Sequence, residues 1–157
     1  MSAPIVVALT LLLIFASCTN DIVFFKYSST SPDGWEKNDT VTFNVPPVRE
    51  RGHYSAMLGL RVNNSYPFQS ITLIVEQTIY SKSRSIRLTR DTVTCHITTE
   101  DGTITGQGLY IYQYDQPLHL TPALAAGDSL HYAIRHNMRR NILPGVSDVG
   151  IRLRREY

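Results

Sequence analysis

From Asp21 onward, apolar side chains recur at close to every second position. A period of two puts alternate side chains on opposite faces of an extended strand, one buried and one wet. Eight runs show it. "IVFFKY" (22–27) opens the series. "TVTFNV" (40–45) aligns Val41, Phe43 and Val45. "YSAMLGLRV" (54–62) aligns Ala56, Leu58, Leu60 and Val62. "SITLIVEQTIY" (70–80) is rich in β-branched residues. "DTVTCHITT" (91–99) and "LYIYQY" (109–114) alternate cleanly. "SLHYAIRH" (129–136) aligns Leu130, Tyr132 and Ile134, and "DVGIRLRR" (148–155) aligns Val149, Ile151 and Leu153. Turn chemistry separates them: "SPDG" (31–34), "PP" (46–47), "RG" (51–52), "NNSYP" (63–67), "EDGT" (100–103), "AAGD" (125–128) and "LPG" (143–145). The segment "NMRRNIL" (137–143) is predicted to make a short helical turn, closed by Pro144-Gly145. This spacing predicts an all-β domain over residues 22–157: one antiparallel β-sandwich of about eight strands, the jelly roll being among the arrangements it admits.

The first seventeen residues are different in kind. An apolar run from Ile5 to Ala16 stops at Phe15-Ala16-Ser17, and Cys18 follows. A dozen apolar residues are too few for a spanning helix, which needs roughly 20. They suit the h-region of a signal peptide. Small residues followed directly by cysteine resemble a lipobox, the processing signal of bacterial lipoproteins. That resemblance implies cleavage between Ser17 and Cys18, a diacylglycerol on the Cys18 thiol and acylation of the new amine. Residues 1–17 are then a lipoprotein signal peptide and 18–21 a lipidated tether. Several acyl chains on one residue anchor firmly, since each buried methylene contributes about 0.8 kcal/mol. A plain signal peptide is the competing reading.

Removing residues 1–17 from the 157 leaves a chain long enough for one domain with a core. A net charge of +2 gives no footing for a nucleic-acid partner. The cluster Arg152, Arg154 and Arg155 reads as a solvated strand edge. With Cys18 lipidated, Cys95 has no intrachain partner. It lies in phase with Val93 and Ile97 and is expected to pack as a small buried hydrophobe.

Catalytic motifs do not emerge: there is no nucleophile elbow, phosphate loop or paired-cysteine zinc pattern, and no catalytic residue is assigned. His131 and His136, five apart on one strand, point to opposite faces and cannot chelate together. His53 and His96 fall on separate strands, without a carboxylate or cysteine at ligand spacing, so no metal site is expected. Neither is a cofactor beyond the lipid on Cys18. Tyr110, Tyr112 and Tyr114 form a period-two stripe. Such a stripe can stack sugars or seat a partner, or it can be an inner wall of the sandwich. Met138, Arg139 and Arg140 are a second candidate contact, explained equally by a solvated turn. Asp39-Thr40-Val41, Asp91-Thr92-Val93 and Asp128-Ser129-Leu130 resemble short O-glycosylation sites of exported Bacteroidota proteins, a pattern that chance also produces in strand-rich sequence.

Three blocks carry a wider resemblance: "YSAMLGLRVNNSYPFQSITLIVEQ" (54–77), "DTVTCHITTEDGTITGQG" (91–108) and "HNMRRNILPGVSDVGIRL" (136–153). With the lipobox and the early "FKYSS", they resemble the gliding-motility-associated GldH lipoproteins of Bacteroidota. The resemblance implies a non-enzymatic envelope lipoprotein. It would serve gliding and the associated type IX secretion machinery through contacts with other envelope proteins. A single acidic residue after the cysteine, Asp21, implies an outer-membrane protein facing the periplasm. The competing function is a glycan-binding lipoprotein using the tyrosine stripe. An envelope hydrolase would need an acid–base cluster formed by tertiary contact.

Overall fold

A computed structural model describes residues 21–120 and 122–156. Every element in them is a strand or a turn. In chain order the strands are β1 (Ile22–Ser29), β2 (Trp35–Glu36), β3 (Val41–Val45), β4 (Gly52–Asn63), β5 (Ser70–Tyr80) and β6 (Ile86–His96). They continue with β7 (Gln107–Gly108), β8 (Ile111–Pro117), β9 (Ala123–Leu124), β10 (Ser129–His136), β11 (Ile142–Leu143) and β12 (Val146–Glu156). The eight long strands are the eight alternating runs. The four short ones hold two residues each.

All pairings are antiparallel; four of them nest one inside the next, and β4–β12 and β5–β10 then join these pairs within the two sheets. The first long strand pairs with the last (β1 with β12), the second with the seventh (β3 with β10), the third with the sixth (β4 with β8) and the fourth with the fifth (β5 with β6). That is a long hairpin rolled onto itself. Its two sheets, β1-β12-β4-β8-β7 and β3-β10-β5-β6, are the two layers of a jelly roll. The turn joining β5 to β6 is the tip of the rolled hairpin.

The inward faces meet in one core. Leu58, Leu60, Val149, Ile151 and Leu153 from the first sheet face Ile71, Leu73, Val75, Tyr132 and Ile134 from the second, and all ten are fully buried. The Tyr132 hydroxyl donates to Gln77 Oε1 at 2.8 Å, and Gln77 Nε2 donates to Thr89 at 3.3 Å, so this buried polar pair is satisfied. Cys95 packs here as a buried thiol, pushed up to about 11 by burial. The strands from Ile22 to Glu156 supply one another's partners and this core.

Three expectations need correction. Residues 137–143 make no helical turn. They run through bends into β11, which pairs with β2 through Ile142–Glu36 and Leu143–Trp35, because Leu143 and Trp35 both have core to enter. β6 starts at Ile86, five residues before the run at Asp91. The three C-terminal arginines are not on an edge, since β12 lies between β1 and β4. Arg152 pairs with Asp115 (3.0 Å), Arg154 with Asp21 (3.4 Å) and Arg155 with Glu50.

Two features can be probed directly. On the outer face of the first sheet, Gly59 and Gly150 are register partners, and the Tyr27 ring lies across both. The Arg61 guanidinium stacks over that ring at 4.0 Å. A Cβ at Gly59 would occupy the space of the Tyr27 hydroxyl. Gly59→Ala should therefore cost about 1–3 kcal/mol in urea unfolding, as overpacking does. The same change in a Tyr27→Ala background should cost much less. The second feature is His136, 0% exposed at the end of β10 and edge-on to Trp35 at 5.4 Å between ring centroids. Burial, with the Lys37 charge acting in the same direction, holds its imidazole below the usual range. The folded state thus resists the proton that the unfolded state accepts. The stability this group contributes is complete above the unfolded pKa near 6.5 and falls as the pH drops below it. His136→Gln should flatten the acid side of the melting-temperature profile, while wild type loses stability steadily below about pH 6.5.

Candidate functional site

The jelly roll has two ends, and their chemistry differs. At one end lie the start of β1, the β3–β4 connection, β9 and the β5–β6 turn. Pairings tie them together: Ile22 with Arg154, Glu156 with His53, His53 with Ala123, and Arg87 donating to the Ala123 carbonyl at 2.9 Å. The chain enters the domain here. The signal peptide, Ser17 and Cys18 lie outside the described residues.

At the other end stand the turns after β4, β6, β7 and β10. The β7–β8 hairpin carries the most exposed apolar side chains of the described domain. Leu109 is 82% exposed, Tyr110 81% and Ile111 50%. The turn is built by Gly108. Its φ of +149° and its closeness to the Ile111 carbonyl leave no room for a Cβ. Turns of this kind usually carry polar residues at their tips. Contiguous exposed apolar residues at a tip mark a contact surface.

The tyrosine stripe separates into three environments. Tyr114 is 8% exposed, and its hydroxyl donates to the Ile97 carbonyl at 3.1 Å, pinning the loop after β6. Tyr112 is half-buried against the core, opposite Val62. Tyr110 lies in the turn before β8 and is open to solvent. The strand starts at Ile111 instead of Leu109, which takes Tyr110 out of the period. The three rings do not form one exposed platform. Met138 is half-buried, and its sulfur accepts the Thr72 N–H at 3.4 Å. Arg139 and Arg140 are exposed beside it.

The histidines are dispersed. His53 and His96 are exposed, His119 pairs with Asp91 at 3.3 Å, His131 is outward and His136 is buried. Among the described residues no three His, Cys, Asp or Glu side chains gather to hold a metal ion. The surface depressions are open and mixed. One of about 630 Å³ lies along Met57, Pro117 and Arg152, and its rim carries the Asp21–Arg154 ion pair and Glu156. Sequence reasoning passed over Leu109 and Ile111. Their signal was present: two large aliphatic residues flank an aromatic one directly after Gly108, where a turn residue was due.

Comparison with known proteins follows the same lines. Over 155 residues the chain is 28% identical to the gliding motility lipoprotein GldH of Flavobacterium johnsoniae, spanning 94% of this chain and 93% of that one. Solved structures are far more distant. An aminopeptidase from a marine sediment Thaumarchaeota archaeon gives a TM-score of 0.36 at 9% identity, matching 84% of this chain and 31% of its own. The Eiger TNF of S. frugiperda gives 0.32 at 12% identity, over 85% and 92%. The family profile of the GldH lipoproteins matches residues 22–153. That span is the whole jelly roll but for its last three residues, and the chain belongs to the GldH lipoprotein family.

Proposed function

We propose that this lipoprotein is a non-enzymatic accessory of the gliding apparatus and its type IX secretion machinery. Cys18 holds it at the outer membrane, facing the periplasm, and it meets a protein partner through the Leu109–Ile111 turn. One observation carries the reading: the apolar turn projects from the end of the jelly roll opposite the point where the chain enters. A domain tethered at one end offers its other end to partners. An aliphatic–aromatic–aliphatic tip is the composition of a buried anchor in a protein interface. A sugar platform on the stripe would need several of its rings in the open, and of Tyr110, Tyr112 and Tyr114 only Tyr110 is exposed. That favours a protein partner over a glycan.

The test is a strain with the chromosomal copy deleted and plasmid copies returned. Colony spreading and type IX cargo secretion should fall in the deletion and return with wild type. Cys18→Ala should not restore them. A Leu109→Ser/Tyr110→Ser variant should reach the envelope at normal abundance, because both side chains are exposed, and still fail to restore spreading. Full function in the deletion strain would remove the apparatus reading. Full rescue by the turn variant would remove the turn as the contact.

A further inference from the structure

The entry end of the domain carries a second unusual surface, on the turn at the tip of the rolled hairpin. Residues 81–90, "SKSRSIRLTR", contain four of the chain's 15 basic residues and none of its 13 acidic ones. The rest of the chain is therefore net acidic by two. In the same segment Ile86 is 65% exposed and Leu88 64%. Tyr80, the register partner of Ile86, is 45% exposed. By period, Tyr80, Ile86 and Leu88 share the outward face of the β5–β6 ribbon. All five residues from Ile86 to Arg90 are exposed, so this half of β6 stands free of the opposite sheet.

Two of the four cations here are engaged within the fold and two are not. Arg90 pairs with Glu76 and Arg87 reaches the Ala123 carbonyl. Among the described residues, neither Lys82 nor Arg84 is held in an ion pair. The acids at this end have partners of their own: Asp21 with Arg154, Glu50 with Arg155, Glu156 with the Ser55 hydroxyl, and Asp128 buried, accepting the Ala125 N–H. Arg84 also sits at φ +63°, a left-handed position that glycine or asparagine would take more easily. A strained arginine at a turn tip is a reason to look for a role outside the fold.

We propose that the β5–β6 hairpin is a membrane-docking element. Lys82, Arg84 and Arg87 meet anionic lipid headgroups, while Tyr80, Ile86 and Leu88 enter the interface. This rests on the reading of Cys18 as the lipid anchor, which supplies the orientation. Only three peptide steps separate Cys18 from Asp21, a reach of about 10 Å when fully extended. Asp21 is at the hairpin's end of the domain: its carbonyl accepts the Arg155 N–H, and the pairing runs on through Glu156, His53 and Ala123 to Arg87. So short a tether brings that end against the bilayer. Exposed apolar side chains ringed by unpaired cations are the composition of interfacial membrane contacts. A protein ligand would leave the clustering of cations at the anchored end without a reason.

The decisive experiment uses the chain from Thr19 onward, which holds the complete domain and no acyl group. Its co-sedimentation is measured with vesicles of equal parts phosphatidylglycerol and phosphatidylcholine, and with phosphatidylcholine alone. Binding is expected to the anionic vesicles only and should weaken as salt rises. The triple change Lys82→Glu, Arg84→Glu, Arg87→Glu should weaken it by roughly 100-fold, since each cation near an anionic surface counts for several-fold. Ile86→Ser/Leu88→Ser should weaken it without removing the salt dependence. As a second readout, Ile86→Trp should shift its emission to the blue with anionic vesicles and not with neutral ones. No binding, or binding that the charge reversals leave unchanged, overturns the proposal. So does concentration-dependent dimerisation abolished by Ile86→Ser/Leu88→Ser in the absence of vesicle binding, which would assign the face to a second copy. Failure of the Cys18 reading is seen separately, as an intact mass without acyl groups in the membrane-extracted chain.

Discussion

The pairing of β4 with β12 is the joint on which this domain depends. Ten register pairs, from Val146–Val62 to Glu156–His53, bind segments about ninety residues apart in the chain. They set Leu58, Leu60, Val149, Ile151 and Leu153 side by side on the inner face, all without solvent exposure. On the outer face the same register puts Gly59 opposite Gly150, and the shared absence of side chains makes the bed for Tyr27. A slip of β12 by one residue would turn Val149, Ile151 and Leu153 to water and drive Tyr27 against a side chain. Both faces thus select one register. A joint closed over so much intervening chain needs the intervening strands to roll up first or together, since loop closure must be met before the contact is gained.

This joint also sets the working geometry. β4 runs from Gly52, beside the entry of the chain, to Asn63, opposite Ile111 at the far turn. At about 3.3 Å per residue that separates the two ends by roughly 36 Å. A lipoprotein whose entry end rests on lipid would hold the Leu109–Tyr110 tip at about that height. On the proposed reading the jelly roll would act as a spacer of fixed length, stiffened by two sheets locked through one core.

How much of this was legible in the sequence depends on which physical effect wrote it. Burial writes a period, and the period was readable. Val41–Val45, Ala56–Val62, Leu130–Ile134 and Val149–Leu153 all face inward as the alternation requires. Partner choice between strands leaves no local mark, so the rolled-hairpin pairing could be admitted but not singled out. The misread boundaries have separate causes. Ile86–Arg90 alternates without a buried face, because the opposite sheet does not reach that far. Leu109 and Tyr110 continue an apparent period that Gly108 has already broken by turning the chain. Residues 137–143 fit a helical turn by composition, yet Leu143 is drawn into pairing with Trp35 by the burial both gain. In that last segment local propensity lost to tertiary packing.

The exposed half of β6 is where the fold tolerates a feature that its own stability does not require. An edge strand with free backbone groups and outward Ile86 and Leu88 invites pairing with other chains. Arg87 and Arg90, with Lys82 and Arg84 at the turn, oppose that by charge repulsion between like edges. Charge alone could have been achieved with polar neighbours, without two large aliphatics at 65% and 64% exposure. Two aliphatics alone would have made an aggregation edge. On the docking proposal, the combination would be tolerated in water and gain at a surface that is both anionic and apolar. Of the interactions open to this end of the domain, the bilayer that would hold Cys18 is the one within the tether's reach.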